Sequence, residues 1–391
     1  ADHYERSYAA LKKLPDVTPG EVVDAILAWA RTAYKLAPSS LVLERLHEGE
    51  AAARAVNDTR RLALTLNWIG NVHFYLGVPS DGIPALVEGD RLARELGDED
   101  LVLAWTFLMA ESLTDRNPRA ALDQINRVIE LSRTSRYEDI EAHASGMKAM
   151  TLARLGRFTE AKAALERALN LARQIHSPVK ESDVLSAGAH MYFDMGDARQ
   201  GIECSRVGAQ LAFEVGGYEC GIYSLYSIGM GRLAQELWAE AISAFEVSAE
   251  RAESSRIGSE WLKNRIRAGL AIARANTGSA TAIGEMEEAL ARANSFEDDY
   301  TAALLSRSLG DHFTRAGDFD RAQQYLDDAF AYYRRNDMLP YLPGILRSLA
   351  TLQECRSDAD GAAAARKEAA RVATQLASEI ARSSVPAEKA G

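Results

Sequence analysis

Cysteine is scarce. The three present in 391 residues, Cys204, Cys220 and Cys355, form no CxxC pair, and an odd count argues against a disulfide framework. A reducing, cytoplasmic setting is therefore expected. Proline is equally sparse, at ten residues, while apolar residues make up 47% of the chain, which excludes a disordered composition. Long apolar runs are missing too: the longest, Leu101 to Ala110, is about half of the ~20 residues a membrane span needs, and it contains Trp105 and Thr106. No membrane partner is expected. Positive charge is in deficit, with 45 lysines and arginines against 56 acidic residues and a net charge of −11. Such a surface repels phosphate backbones, so no nucleic acid partner is expected either. The opening residues, Ala1 to Arg6, have neither the apolar stretch of a signal peptide nor a starting methionine.

Catalytic signatures are lacking as well. No P-loop, HExxH or GxSxG motif occurs, and Gly229-Met230-Gly231 is a bare GxG. The histidines, His3, His47, His73, His143, His176, His190 and His312, never stand at the i, i+4 spacing that sets two metal ligands on one helical face. Asp115, Asp183 and Glu354 can be cast as catalytic carboxylates, but among 56 acidic residues nothing in the sequence singles them out. The expectation is a non-enzymatic chain with no catalytic residue, no metal ligand and no cofactor.

What the sequence does have is a period. A small-residue slot at Gly49 and Gly89 recurs at Val128, Ala168, Gly208, Ser248, Ala289, Ala329 and Ala369, in steps of 39 to 41 residues. A fixed period in this range marks a solenoid. Within each unit, apolar residues at three- and four-residue spacing are divided by a short polar or glycine-containing turn, which predicts two helices. Small residues spaced by 12 and 7 appear at Gly310, Ala322 and Ala329, and again at Gly70, Gly82 and Gly89, at Ala149, Ala161 and Ala168, at Ala189, Gly201 and Gly208, and at Gly229, Ala241 and Ser248. The physical reason is close packing: paired helices cross at short range only where one side offers little more than a Cβ.

With Leu155-Gly156-Arg157-Phe158-Thr159-Glu160-Ala161 and Ala316-Gly317-Asp318-Phe319-Asp320-Arg321-Ala322 as its most specific segments, the chain resembles the tetratricopeptide repeat family over nearly its whole length. Trp105 stands where that family often has tryptophan. The period exceeds the family's ~34 residues by about six, as in the long-helix subclass of bacterial signalling proteins and motor light chains. HEAT and armadillo repeats share a period near 40 but lack the Gly-Asp-aromatic turn followed by alanine. Two units are degenerate: Gly269 and Ala282 lie one residue too far apart, and Ser357 replaces the turn glycine.

The resemblance implies an all-α, right-handed α-α superhelix of about nine helix pairs. The expected layout is a truncated first repeat in residues 1–18, contributing only its second helix, a continuous solenoid over 19–377, and a polar tail over 378–391. It also resembles, in repeat style, the C-terminal sensor regions of bacterial multidomain regulators of the nucleotide cyclase and ATP-dependent transcription activator types.

In this family the positions three before, one after and four after the first small slot line the concave groove. They fall on Asn67, Asn71 and Phe74, on His190 and Phe193, on Tyr226, on Arg307 and Asp311, and on Arg347. An asparagine pair one turn apart suits a peptide backbone, and tyrosine and arginine are common interface anchors. Each also fits an ordinary half-packed helix position. Most of Tyr218, Tyr223, Tyr226 and Phe213 are expected in the core, and Tyr332-Tyr333 on a second helix facing the next repeat. Three roles follow from a concave surface: a regulatory module binding a peptide, a helix or an upstream domain of its own chain; a small-molecule sensor controlling an upstream catalytic domain; or a scaffold whose end faces pair into a homo-oligomer.

Overall fold

In a computed structural model the chain is described at residues 6, 8–10, 13, 16–34, 39–255 and 259–384. Those residues form eighteen α-helices and one short 3-10 turn, Leu339–Tyr341, with no strand among them. The helices pair in chain order. Pairs 1 to 3 are α1 (Pro19–Ala33) with α2 (Ser39–Ala55), α3 (Thr59–Leu76) with α4 (Pro79–Leu96), and α5 (Glu99–Leu113) with α6 (Pro118–Ser135). Pairs 4 to 6 are α7 (Glu138–Arg154) with α8 (Phe158–Gln174), α9 (Pro178–Asp194) with α10 (Ala198–Glu214), and α11 (Tyr218–Ala234) with α12 (Trp238–Ser254). Pairs 7 to 9 are α13 (Glu260–Asn276) with α14 (Ala282–Ser295), α15 (Asp299–Ala316) with α16 (Phe319–Arg335), and α17 (Leu342–Cys355) with α18 (Ala359–Ser383). Successive first helices pack on one another along the inside of a right-handed superhelix.

The nine slots read from the period fall one to each second helix, and all are buried. The reason is visible at Gly89, where a Cβ would lie 1.8 Å from the ring of the fully buried Trp105 in the next pair. Within pair 2, a Cβ on Gly82 would sit 3.2 Å from the Cα of Gly70, so α3 and α4 cross almost backbone to backbone. The Gly-Asp-aromatic turn has an equally local cause. Gly317 takes φ +78° and ends α15, the Asp318 amide bonds back to the Phe313 carbonyl at 3.0 Å, and the Asp318 carboxylate then accepts from the Arg321 amide to start α16. The same left-handed step needs no glycine elsewhere: Glu236 and Ser357 adopt it at φ 59° and 64°.

Two expectations shift. The unit with the extra residue keeps its pairing but lengthens its turn, so α14 has 14 residues where neighbouring second helices have 17. The expected boundary at 378 falls inside a helix, because α18 continues through it to Ser383; residues 385–391 lie outside the described ones. Of residues 1–18, for which a lone second helix is expected, 6 and 8–10 are described and helical, and Tyr8 hydrogen-bonds Glu48 on α2; most of the rest lies outside the described residues.

The superhelix curls until distant pairs meet. Leu376 on α18 packs over Gly156 in the turn before α8, the Thr159 amide donates to Glu379 at 3.3 Å, and Lys162 Nζ donates to the Ser383 carbonyl at 3.3 Å. These contacts join pair 4 to pair 9 across the axis.

Candidate functional site

On the inside of this ring, four charged side chains from remote stretches of sequence converge. Asp115 sits in the turn after α5, in pair 3. Arg154, at the last turn of α7, donates to the Asp115 carboxylate and to the Thr114 carbonyl at 2.9 Å. Arg265, in the first half of α13, reaches the other Asp115 oxygen at 2.8 Å while holding Asp298 through two bonds of 2.7 and 2.8 Å. Asp298 is the cap of α15, so the same carboxylate that starts that helix also orients Arg265. Arg154 and Arg265 lie over the faces of Tyr300 and Trp261, 5.3 and 5.0 Å from the ring centroids. Only 2% of the Arg154 side chain and 8% of Arg265 meet solvent, and a buried guanidinium is tolerable only because carboxylates surround it.

Tyrosines complete the bridge. Tyr332 donates to the Asp115 carbonyl, which corrects the expectation that Tyr332-Tyr333 simply face the next pair. Tyr333 does so, stacking on Tyr341 with centroids 5.0 Å apart, but Tyr332 reaches back to pair 3. Tyr341 donates to Asp194 on α9 and lies 3.3 Å, oxygen to oxygen, from Tyr300. Farther out, Glu297 binds Arg116 at 3.0 Å and the Ser80 amide at 3.1 Å.

The two carboxylates respond to this setting in opposite ways. Burial alone would raise the Asp115 carboxyl, but Arg154 and Arg265 together hold it well below the ordinary carboxylate range. Asp194 is more distant from any cation, and burial outweighs Arg154 and the Tyr341 hydrogen bond, pushing it up to about 6. His190 is driven down to about 3 by burial and by the Arg154 charge, so it is a neutral imidazole beside Ser227 at 3.2 Å.

Two cavities border this network. The narrow one, about 310 Å³, is bounded by Phe74, Met147, Met150, Trp261 and Phe296, with Arg154 and Arg265 as its floor. The wide one, about 790 Å³, lies between His190, Phe193 and Asp194 on one side and Arg307, Asp311 and Arg347 on the other.

Of the residues named from the sequence, His190, Phe193, Arg307, Asp311 and Arg347 thus share the wide cavity, and Phe74 lines the narrow one. Asn67 and Asn71 turn to each other, Asn71 Nδ2 donating to Asn67 Oδ1 at 3.1 Å, and Asn67 Nδ2 is buried without a partner among the described residues. Tyr226 is 2% exposed and packs on Phe245, 5.9 Å between ring centres; Tyr223, expected in the core with it, borders the narrow cavity, and Tyr218 is exposed. The residues that sequence reasoning passed over are Arg154, Arg265, Asp298, Tyr300 and Tyr341. Asp115 was in view only as one of many carboxylates.

The tetratricopeptide repeat model matches residues 142–175, which span α7 and α8. The fold is that of a tetratricopeptide-like α-α solenoid. A second model, anaphase-promoting complex subunit 5, matches residues 312–381 in the last pairs of the solenoid. Among solved structures, a Rap protein complexed with competence and sporulation factor is similar, with a TM-score of 0.64 and 13% identity, covering 92% of this chain and 99% of that one. The Rap conjugation gene regulator of plasmid pLS20, in complex with the Phr* peptide, gives 0.57 at 11% identity, covering 96% and 100%. The apo quorum sensor NprR of B. thuringiensis gives 0.56 at 17%, covering 84% and 92%. At these identities the likeness is one of fold. No curated protein matches the chain in sequence.

Proposed function

We propose that the solenoid is a regulatory binding module whose channel takes an extended peptide or a segment of a neighbouring domain. The observation that carries this reading is the inner surface itself: two cavities bordering one network, walled by first helices and turns of distant pairs and mixing aromatic, arginine and carboxylate side chains. Two chains of the same fold support it, since the Rap protein is complexed with a competence and sporulation factor and the pLS20 regulator with a peptide.

The test is thermal melting of the chain with a pooled hexapeptide library, in parallel with a Thr351→Trp variant, which places bulk at an exposed position on the wall of the wide cavity. Ligand that binds the folded state raises Tm by linkage, by about 2.7 kcal/mol of stability at a hundredfold excess over Kd. A shift in the parent that is lost in the variant is expected. No shift with any pool would sink the peptide reading. A second reading, a small-molecule sensor, is favoured by the compact apolar lining of the narrow cavity, whose 310 Å³ falls in the range of small-ligand pockets. It predicts shifts from metabolites that survive Thr351→Trp.

A further inference from the structure

The wide cavity has an unequal pair of walls. On one side stand Arg307 and Arg315, two turns apart on α15, and Arg347 on the adjacent first helix α17. On the other side stand His190, Phe193, Met230 and Leu233, an aromatic and apolar surface. The arginines are not bound up in the ion pairs that occupy Arg154 and Arg265. Arg315 and Arg347 are exposed and have no carboxylate partner among the described residues, and Arg307 is only loosely held, 3.9 Å from Asp311 and 3.4 Å from the Ser348 hydroxyl. Space has been cleared for that guanidinium: a Cβ on Gly344 would lie 2.6 Å from Arg307 Nη1. Three acidic residues share the cavity, but Asp194 is engaged by Tyr341, Asp311 is the loose partner of Arg307, and Glu236 is exposed on the turn after α11.

We propose that the wide cavity is a binding site for a phosphate monoester with an aromatic or apolar body, its phosphate held by Arg307, Arg315 and Arg347 and its body lying against His190 and Phe193. Two guanidiniums without carboxylates and a third with a distant one match a dianion better than a monoanion, and guanidinium forks suit tetrahedral oxyanions. A volume of about 790 Å³ admits a molecule of nucleotide size. The proposal rests on the channel being a binding site and goes beyond the peptide reading, because the phosphate wall needs no peptide.

The experiment is isothermal titration of the full chain with phenyl phosphate, with benzoate and inorganic phosphate as controls, at low and high salt. Saturable binding of phenyl phosphate, tighter than of either control and weakened about tenfold by Arg347→Gln, is expected. A circular dichroism melt confirms that this exposed substitution leaves the fold intact. Binding that is absent, or unchanged in an Arg315→Gln/Arg347→Gln double variant, overturns the proposal. A phosphoserine hexapeptide and its unphosphorylated twin give the remaining arm. Preference for the phosphorylated peptide over phenyl phosphate identifies a phosphorylated side chain as the source of the phosphate; equal affinity for the twins, with phenyl phosphate not bound, overturns the phosphate site while leaving the peptide reading standing.

Discussion

At the residue scale, Asp115 is the side chain on which most of the inner network depends. It neutralises two guanidiniums that are themselves almost fully buried, so Asp115→Ala strands Arg154 and leaves Arg265 to Asp298 alone. The expected loss is about 3 kcal/mol, the lower end for breaking a buried pair because part of the carboxylate meets solvent, measured as a fall in the urea midpoint. Its pH signature has a definite sign. A carboxyl held below its unfolded value adds stability that is present above that value, about 4, and is lost as pH falls through the lower folded one. Asp194 behaves oppositely: with its folded value at about 6, the folded state keeps a proton that the unfolded chain has released, so stability drops as pH rises from about 4 to 6. Asp194→Asn keeps an acceptor for Tyr341 and removes that penalty. It should stabilise the chain by about 2 kcal/mol at pH 7.5 and progressively less toward pH 4.5, and equal effects at both pH values would refute the assignment. None of this was legible in the sequence, where Asp115 is one acidic residue among 56 and its partner Arg265 is 150 positions away.

At the scale of the element, much more was legible, because what decides a helix pair is local. The spacing of small residues announced where helices cross, and the glycine preceding Asp318 announced both the end of α15 and the start of α16. A paired substitution tests the packing argument. Gly89→Ala drives a methyl into the Trp105 ring and should cost about 1 to 3 kcal/mol or more, whereas Gly284→Ala, in α14 with nothing within 4 Å of the new Cβ, should gain about 0.5 to 1 kcal/mol from helix propensity alone. Thermal melting that ranks the two the other way would mean the register of the pairs is misread. The end of the last helix was misjudged for the complementary reason. Composition marks residues 378–391 as polar, but Glu379 and Ser383 are held by α8, an element some 220 positions earlier that no local pattern can report.

At the scale of the molecule, the contacts that close the ring include two groups separated along the axis: the Asp115, Arg265 and Tyr332 network inside, and the packing of α18 on α8 at the rim. A solenoid held only by nearest-neighbour interfaces is an open spring whose pitch costs little to change. Each cross-axis contact adds a loop closure and so makes the closed shape a distinct state instead of one point on a continuum. The pairs themselves do not depend on either group, since each first helix still buries its face on its own partner and on the next. Breaking the contacts should therefore change shape more than helix content. Leu376→Asp places a charge over Gly156 and should loosen the rim, Asp115→Ala should loosen the interior, and the double variant should loosen both. Small-angle X-ray scattering should show a radius of gyration that rises in each single variant and further in the double, with circular dichroism nearly unchanged. A double variant with the radius of the parent would show that neither group sets the curvature, and that the Asp115 ion pairs follow the closed shape without causing it.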